Sequence, residues 1–583
     1  AAIAGFQQAF SETGISVPIQ AQVTLDTTGR MLLGTDIAAV QTILSGLPIH
    51  AIGLNCSTGP DYMREPIRYL ASSTSLPVSC IPNAGLPLNV DGKAVYPLQP
   101  EPFAKTMVEY AQKFGVRIVG GCCGTTPDHL IELIKLLPNS LPQTYYAPTP
   151  PALASGTLSM PMHQEPPPFL IGERLNTQGS QLFKKMIMNE QFDEIISLAQ
   201  KQVDAGAHGL DLCTALTERS DEDELMVRLI KTLSNAVQVP FIIDSTEPAV
   251  IEKALKTAPG RCLINSTNLE GGRGKFDQVL SIAKKHNASI ILLTIDENGM
   301  AKTAERKLEI ASRMAQIAAQ DHGIQADSLV FDALTFTLAT GDPEFSNSAL
   351  ETINGIRLIK SNLPGVLTSL GVSNVSFGLP NAARPIINSV MLYHCVKAGL
   401  DMAIVNPAHI TPYADLAENE RTLAEDLIFN RHPEALKNLI DYFESSSGTT
   451  KNKPESSKDL TTLAPEDRIH WRILHRIKED IESDIDAIMG ARGNVKQHDA
   501  AVNILNNILL PAMKDVGDKF GNGELILPFV LQSAEVMKKA VTHLEKYLER
   551  KEGTSKGLLI LATVYGDVHD IGKNLVKTIL VNN

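Results

Sequence analysis

The chain has 583 residues, of which 43% are hydrophobic, and its formal net charge is −13. That length predicts about three or four domains with packed cores, while the negative charge argues against a nucleic-acid partner and no apolar run is long enough to span a bilayer. Seven unevenly spaced cysteines make no disulfide framework, so the composition indicates a reduced, cytoplasmic enzyme. The segment Ala1–Phe6 has neither an initiator Met nor a signal-peptide pattern, which indicates a cut end.

Two cysteine-bearing loops distinguish the first segment, residues 1–137. Cys56 follows the apolar run 51–54, and Cys122 and Cys123 follow the run 116–119, with glycines on both sides of the pair. Three thiols at strand ends can surround a metal and leave one tetrahedral position open, as a catalytic zinc requires. A vicinal disulfide and ordinary buried cysteines are the competing interpretations. The flanking glycines favour a close approach of the backbone.

This cysteine pattern, together with Pro82-Asn83-Ala84-Gly85, resembles the zinc-dependent homocysteine methyltransferase barrels. The resemblance implies that Cys56, Cys122 and Cys123 bind zinc, and that Asn83 is an exchangeable fourth ligand displaced by the substrate sulfur. Zinc would lower the pKa of the bound thiol. The segment contains about four strands where such a barrel spans roughly 250 residues, so we expect it to be the carboxyl-terminal part of the barrel.

Two connectors separate the larger segments. Residues 138–168 are dense in proline and lack periodicity, which favours an extended linker. Residues 445–463 are polar and equally aperiodic. Connectors of this composition predict domains that move relative to one another.

Between the connectors, residues 169–444 alternate short apolar runs with amphipathic helical patterns. Eight such units in the usual length predict a complete parallel (β/α)8 barrel. The predicted strands are 169–172, 209–212, 241–243, 262–264, 289–295, 329–331, 366–372 and 402–405.

Polar residues close these runs, at the end of the barrel where active sites lie. Any one of them could be a helix cap or a turn residue. A whole ring of amides and carboxylates suits a flat, nitrogen-rich heterocycle. The ring comprises Glu173, Asn176, Asp211, Asp244, Asn265, Asp296, Asp332, Asn374 and Asn406.

The motifs around these residues, including Ile243-Asp244-Ser245-Thr246 and the segment 371–378, resemble the pterin-binding family, and most of all its methyltetrahydrofolate:corrinoid methyltransferases. The resemblance implies that Asn374 is catalytic, because it would lie near N5 of the folate, where positive charge must develop before the methyl group leaves. Cys213 departs from the family pattern, which commonly has Asn there. The implied folate-binding residues are Glu173, Asn176, Asp211, Asp244, Asn265, Asp332 and Asn374.

Residues 464–550 show apolar residues at helical spacing, which predicts a four-helix bundle. From the pattern alone, most of these apolar residues are core. The segment resembles the cap module of cobalamin-dependent methyltransferases, and this resemblance implies that Phe520, Leu527 and Val530 cover the upper face of the corrin ring and keep water from it.

The last segment, residues 551–583, predicts the beginning of a doubly wound domain. Its loop Asp567-Val568-His569-Asp570-Ile571-Gly572 follows the apolar run 558–564 and resembles the lower-ligand loop of cobalamin-binding domains. The resemblance implies that His569 binds cobalt, that Asp567 hydrogen-bonds His569, and that Gly572 contacts the cofactor. A solvated loop histidine is the alternative. Such a domain needs further strands, so we expect the chain to be cut at this end too.

The order of these modules resembles the cobalamin-dependent methionine synthases. The fold class is therefore α/β and multidomain: a partial (β/α)8 barrel, a complete one, a four-helix cap and the start of a doubly wound domain. The implied reaction moves a methyl group from 5-methyltetrahydrofolate through cobalamin to zinc-activated homocysteine, with His569, Asp567 and Asn374 as catalytic residues. A reducing or reactivating partner is also implied.

Three other functions fit parts of the sequence. The chain could be a methyltransferase that serves a separate corrinoid protein or another thiol acceptor. It could be a non-catalytic corrinoid carrier, which two substrate barrels make improbable. A dihydropteroate synthase would explain the middle barrel alone, and neither the cysteine pair nor the cobalamin loop.

Overall fold

A computed structural model of the chain describes residues 2–140, 149–340, 345–447, 460, 463–491, 496–521, 527–547 and 560–561. Within these residues, no helix is long and apolar enough to cross a membrane. They form an open sheet, a closed barrel and a group of helices, in that order along the chain.

The first unit is an open parallel sheet with helices packed against it. Its strands are β1 (Gln20–Val23), β2 (Ala51–Asn55), β3 (Val78–Ile81) and β6 (Ile118–Val119), with a separate hairpin of β4 (Leu88–Val90) and β5 (Lys93–Val95). Its helices are α1 (Ala2–Thr13), α2 (Ile37–Leu44), α3 (Pro60–Ser73), α4 (Pro100–Glu109) and α5 (Pro127–Leu136). The sheet has four strands, the number expected from the sequence, and its order β1-β2-β3-β6 brings the ends of β2, β3 and β6 side by side.

Local sequence explains where these helices begin. Prolines occupy the first position of α3, α4 and α5, where a missing N–H costs nothing. The Asp36 carboxylate caps α2 by accepting from the Ala39 N–H at 2.7 Å. Of these helices, α3 and α5 start shortly after the sheet strands β2 and β6, so the loops before them stay at the carboxyl edge of the sheet.

Residues 149–168 of the proline-rich connector are packed, so this part differs from the expected extended linker. Its β7 (Ala152–Ala154) and β8 (Ser159–Pro161) pair as an antiparallel hairpin. Leu153 and Met162 are fully buried among the residues that fill the interior of the barrel. Arg261, just before a barrel strand, donates to the Ala152 carbonyl at 2.7 Å. The hairpin therefore plugs the amino-terminal end of the barrel.

The connector also joins the first unit to the barrel. Thr42 and Ser159 share a hydroxyl–hydroxyl hydrogen bond of 2.8 Å, and the Asp36 N–H donates to the Thr157 carbonyl at 3.0 Å. The Asn287 amide donates to the carbonyls of Thr42 and Ile43 at 3.2 and 3.3 Å. The open sheet thus lies against the plugged end of the barrel.

The middle unit is a closed barrel of eight parallel strands, which confirms the predicted fold. Its strands are β9 (Phe169–Asn176), β10 (Gly209–Cys213), β11 (Phe241–Asp244), β12 (Leu263–Thr267), β13 (Ser289–Leu293), β16 (Leu329–Asp332), β17 (Leu367–Gly371) and β18 (Met402–Val405). The predicted run 289–295 ends earlier, because β14 (Ile295–Asp296) turns back to pair with β15 (Gly299–Met300).

Helices surround the barrel, so its strands are buried on both faces and read as continuous apolar runs. The helices are α6 (Gln181–Met188), α7 (Phe192–Asp204), α8 (Glu222–Leu233), α9 (Pro248–Thr257), α10 (Arg273–His286), α11 (Ala304–Gln320), α12 (Ser348–Asn362), α13 (Arg384–Ala398), α14 (Glu418–Ile428) and α15 (Ala435–Ser447).

A helical unit follows, as the apolar periodicity predicts. Its helices are α16 (Pro465–His475), α17 (Ile481–Ala491), α18 (Gln497–Ile504), α19 (Leu510–Gly521) and α20 (Leu527–Leu544). A π-helical segment, Leu505–Leu509, joins α18 to α19 into one continuous helix. The described part of this unit therefore consists of four helices. The buried Asp484 accepts from Arg468 and Arg472 at 2.6 and 2.7 Å and ties α17 to α16.

Candidate functional site

Three thiols meet at the carboxyl edge of the open sheet. Cys56 follows β2, and Cys122 and Cys123 follow β6. The Cys123 sulfur lies 3.7 Å from that of Cys56 and 3.8 Å from that of Cys122, and all three sulfurs lie within 4.8 Å of one another. The structure therefore brings together the three residues that the sequence predicts as metal ligands.

Backbone hydrogen bonds hold the loops that carry these thiols. The Cys56 N–H donates to the Ile81 carbonyl at 3.0 Å, and the Cys122 N–H donates to the Pro82 carbonyl at 2.7 Å. Cys56 has a φ of 60°, a left-handed conformation that is uncommon for a residue with a side chain. The turn after β2 is thus strained locally, and it directs Cys56 toward the other two thiols.

The sulfur spacing fits a tetrahedral metal. Zn–S bonds of about 2.3 Å separate the sulfurs of a tetrahedral zinc by about 3.8 Å. A disulfide needs sulfurs about 2.05 Å apart, and every cysteine of the chain is a free thiol, so the vicinal-disulfide alternative is wrong. Cys80, Cys262 and Cys395 are buried, as expected for core residues.

Two further side chains border the thiols. Asn83 is buried, and its Oδ1 accepts from the Cys123 N–H at 3.1 Å. Tyr96, just after the β4–β5 hairpin, hydrogen-bonds the Cys123 thiol. Hydrogen bonds from Cys56, Cys122 and Tyr96 lower the pKa of Cys123, whereas burial raises that of Cys122 to about 11. Sequence reasoning missed Tyr96, because nothing in its local pattern distinguishes it from other loop aromatics.

The carboxyl end of the barrel carries a hydrogen-bonded ring of acids and amides. The Asn176 amide donates to Asp211 at 2.9 Å and to Asp244 at 2.7 Å, although these residues lie on three successive strands. The Asn265 amide donates to the other oxygen of Asp211 at 3.1 Å. Four of the predicted folate residues therefore form one network.

Both acids of this network, Asp211 and Asp244, have pKa values above the usual value for aspartate. Burial raises the pKa of Asp211, opposed by the hydrogen bonds from Asn176 and Asn265. Burial and the charge of Asp211 raise the pKa of Asp244 well above its usual value. Two buried carboxyls this close cannot both ionise easily, so the pair tends to share one proton.

Glu173 lies on β9, and Asn374 follows β17. Burial raises the pKa of Glu173, and the Ser373 hydroxyl donates to this carboxyl at 3.1 Å. Asn374 lies in the 3-10 turn Val372–Ser376 that follows β17. A Cβ on Gly371 would come within 3.0 Å of the Asn374 amide nitrogen, so glycine leaves room for that side chain.

Asp332 ends β16, and the structure fixes both of its oxygens. Oδ1 accepts from the Leu334 N–H at 2.7 Å, and Oδ2 accepts from the Ser369 hydroxyl at 3.4 Å. Burial raises its pKa to about 6, against the Leu334 hydrogen bond and the charge of Lys307. Ser369 and Lys307 are contributors that the sequence reasoning missed.

Other residues at the strand ends stand apart from the ring. Asp296 forms an ion pair with Arg306 of α11, so its buried charge is compensated within the protein and does not require a ligand. Cys213 is buried, and its sulfur accepts from the Thr177 hydroxyl at 3.8 Å. Asn406 lies half-buried after β18.

The predicted cobalamin residues are only partly described. Asp567, His569 and Gly572 lie outside the described residues, and so do the side chains of Phe520 and Leu527. Val530, on α20, is half-buried and packs against the core of the helical unit. The cobalamin assignments therefore stay predictions.

Three family models match successive parts of the chain. Residues 1–137 match the homocysteine S-methyltransferase model, residues 172–406 the pterin binding enzyme model, and residues 465–545 the B12 binding domain model. The order of the first three modules inferred from the sequence is therefore confirmed.

The chain is similar over its whole length to known proteins. It is 40% identical over 590 residues to the methionine synthase of Mycobacterium tuberculosis, and 39% identical over 599 residues to that of Mycobacterium leprae. It covers 49% of each relative, so it spans about half of their length.

Solved structures of dihydropteroate synthases are also similar to part of the chain. The enzyme from Xanthomonas albilineans in complex with 7,8-dihydropteroate is 14% identical and covers 52% of this chain and 100% of its own, with a TM-score of 0.32. The Yersinia pestis enzyme is 14% identical and covers 48% of this chain and 98% of its own, again with a TM-score of 0.32. A likeness this weak says nothing about function.

Proposed function

We propose that this chain, a relative of the methionine synthases along its whole length, binds the methyl acceptor and the methyl donor of a cobalamin-dependent methyl transfer. The acceptor is homocysteine and the donor is 5-methyltetrahydrofolate, so the products are methionine and tetrahydrofolate. The observation that supports this best is the presence, in one chain, of three thiols at zinc-like spacing and a closed barrel that ends in an acid–amide ring.

On the acceptor side, Cys56, Cys122 and Cys123 would hold the zinc. When bound, zinc supplies a positive charge that lowers the pKa of the substrate thiol and makes it a nucleophile at neutral pH. Asn83 would be the fourth ligand that the substrate displaces. It is suited to leave, because its Oδ1 already has an alternative partner in the Cys123 N–H.

On the donor side, Asp244, Asn265 and Asp332 would hydrogen-bond the pterin ring. Because burial raises the pKa of both Asp211 and Asp244, a proton shared between them would let the pair both donate to and accept from the ring. Glu173 and Asn176 complete the site through their contacts with Ser373 and with the acid pair. Asn374 would stabilise the charge at N5 that makes the folate nitrogen a leaving group.

The carboxyl-terminal modules would bind cobalamin. When bound, the cofactor supplies the cobalt that takes the methyl group from the folate and passes it to the thiolate. The match of residues 465–545 to the B12 binding domain model supports this assignment. His569 would bind the cobalt and Asp567 would orient it, Gly572 would contact the cofactor, and Phe520, Leu527 and Val530 would cover its other face.

Two features of the cellular setting belong to the same proposal. The seven free cysteines suit a reducing compartment, so we propose the cytoplasm. Because a reduced cobalt centre is vulnerable to oxidation, we also propose a partner that supplies electrons for its reactivation.

The two substrate sites can be tested separately by adding cobalamin cofactors in solution. Cys122→Ala should abolish methylation of homocysteine by free methylcobalamin, because one zinc ligand is lost, and should leave folate demethylation intact. Asp332→Asn should do the reverse. Both losses together in either variant, or neither, would contradict the proposed division of labour.

The same experiment distinguishes the alternative function. A methyltransferase that serves another thiol acceptor or a separate corrinoid protein would bind zinc and demethylate folate, yet would not methylate homocysteine at any concentration. Zinc content measured on the same preparations identifies that outcome.

A further inference from the structure

A lysine side chain is buried directly behind the acid ring. Lys307 lies in the first turns of α11, and only 1% of the residue is exposed. Its ammonium group donates to the carbonyls of Ala301, Ala333 and Leu334 at 2.9, 2.5 and 3.2 Å. An ammonium has three N–H groups, so these carbonyls use all of its donors.

The neighbouring helix α12 is shaped around this lysine. A Cβ on Gly355 would lie 2.6 Å from Lys307 Cδ, so only glycine leaves room for the stem. Thr352, one turn earlier, donates to the Leu334 carbonyl at 2.7 Å and binds the same turn from the other side. A buried charge costs more than an apolar side chain of equal size, so packing alone does not explain a lysine here.

The three carbonyls connect Lys307 to Asp332. Leu334 has a φ of 53°, a strained left-handed conformation for leucine. Its N–H donates to Asp332 Oδ1 at 2.7 Å, while its carbonyl accepts from Lys307. Lys307 therefore fixes the Ala333–Leu334 turn, and this turn fixes the Asp332 carboxylate.

We infer that Lys307 is a positioning residue of the folate site: its ammonium group fixes the Ala333–Leu334 turn, and its charge keeps Asp332 ionised to accept N–H groups of the pterin ring. This inference rests on the proposed function. Lys307 itself lies behind the turn and acts only through Asp332.

The charges around the pair give the expected pH dependence. Asp332 from β16 is influenced by Lys307 from α11, and Glu351 from α12 also acts on Lys307, while Cys395 from α13 faces Asp332 as a neutral thiol. Burial raises the pKa of Asp332 to about 6 and lowers that of Lys307 to about 8. Folate affinity should therefore be greatest between these values and fall on both sides.

The test is the dissociation constant of 5-methyltetrahydrofolate, measured with the full chain from pH 5 to pH 9. Lys307→Met keeps the length of the stem and removes the charge. It should weaken binding roughly 30-fold at pH 7, move the acid limb up by about one pH unit and abolish the alkaline limb.

Lys360→Met is the matched control. Lys360 also donates to a backbone carbonyl, that of Val366 at 3.1 Å, and to the Asp401 carboxylate at 2.8 Å, but at the amino-terminal end of the barrel. Its loss should lower the Tm and leave both folate affinity and its pH profile unchanged.

Weaker binding of Lys307→Met without a displaced acid limb would overturn the inference, because packing alone would then explain the lysine. If that variant does not fold, Gly355→Ala keeps the lysine and displaces its stem. An unchanged pH profile in Gly355→Ala would overturn the inference as well. A wild-type chain that binds no folate at any pH would overturn both this inference and the proposed function, whereas the other outcomes affect the inference alone.

Discussion

The thiol site and the acid ring are both built at the carboxyl ends of parallel strands, yet they satisfy their polar groups in opposite ways. The sulfurs of Cys56, Cys122 and Cys123 face one another with little besides Tyr96 and each other as partners. The oxygens of Asp211, by contrast, receive bonds from the amides of Asn176 and Asn265. A metal ion would complete the first site, whereas the second is already held by its own hydrogen bonds.

This difference follows from the two scaffolds. The acid ring sits on a closed barrel, where every strand is paired on both sides and its neighbours fix where each side chain projects. The thiols sit on loops of an open four-stranded sheet, two of them on a loop with glycines at both ends. A metal tolerates such loops because its own bonds set the final geometry, but recognition of a flat ring by several hydrogen bonds does not.

Loss of Asp244 should have the largest effect on either site. Asp244→Ala removes an acid proposed to bind the pterin ring and leaves one Asn176 donor without its acceptor, so folate affinity should fall about 100-fold or more. Zinc content should be unchanged. Asp223→Ala is the control, since Asp223 lies on the outside of the barrel, where it pairs with the half-exposed Lys253 and accepts from the Glu224 N–H. Equal losses in both variants would contradict a rigid ring.

The plug of the closed barrel gives the next largest effect. Met162→Ala should lower the free energy of unfolding of the barrel by about 3 kcal/mol, because it leaves a cavity in the fully buried interior. Met160→Ala changes the same residue type in the same hairpin at a half-buried position, so it should cost less. Chemical unfolding measures the change in stability, and the zinc content of the folded variants is measured alongside it. Loss of zinc from Met162→Ala would show that the two sites do not differ in their scaffolds.

Asn83 tests the support of the thiol site. Asn83→Ala removes the acceptor of the Cys123 N–H and the proposed fourth ligand, so zinc affinity should fall about tenfold. Competition with a chromogenic chelator measures it. Asn89→Ala is the control, because Asn89 accepts only from Gly92 within the exposed hairpin. An unchanged zinc affinity would mean that the three thiols suffice.

The smallest expected effect is a substitution that raises the free energy of unfolding instead of lowering it. Because burial raises the pKa of Asp332 to about 6, its ionised form destabilises the folded barrel above that pH, and this contribution is lost as the pH falls toward 4. Asp332→Asn can keep the Leu334 hydrogen bond, so it should stabilise the barrel by about 1 kcal/mol at pH 7 and by less at pH 4.

Asp401→Asn is the opposite case in the same barrel. Against burial, His163 and Lys360 hold the pKa of Asp401 below its usual value. Its ionised form is therefore stabilising at neutral pH, and the substitution should lower the Tm at pH 7. Thermal unfolding at pH 4 and pH 7 compares the two variants. A destabilised Asp332→Asn would show that the ring carries no strain.

The strands and the ring were predictable from the sequence for one physical reason. A parallel strand that is buried on both faces reads as a continuous apolar run, and the first polar residue after it marks the carboxyl end. Asp244 and Asn265 each close such a run, so the sequence predicts that both lie at the carboxyl end of the barrel and close to each other. The three thiols followed in the same way from the ends of β2 and β6.

Other features carry no such signal. The connector was expected to be extended because its prolines mask the two short strands of a hairpin, and only tertiary packing buries Leu153 and Met162. Lys307 looks like a solvent-facing residue of an amphipathic helix, since no local pattern reveals the carbonyls that converge on it. The pairing of Asp296 with Arg306 depends equally on the turn made by β14 and β15.

The buried hairpin has a practical consequence for dissecting the protein. The family model for the barrel begins at residue 172, and the apolar run begins at Phe169, so either is an obvious point at which to cut the gene. A cut there would remove Leu153 and Met162 and expose the floor of the barrel to water. An excised barrel must begin ahead of Pro151, and a library that varies linker length must leave residues 151–168 untouched.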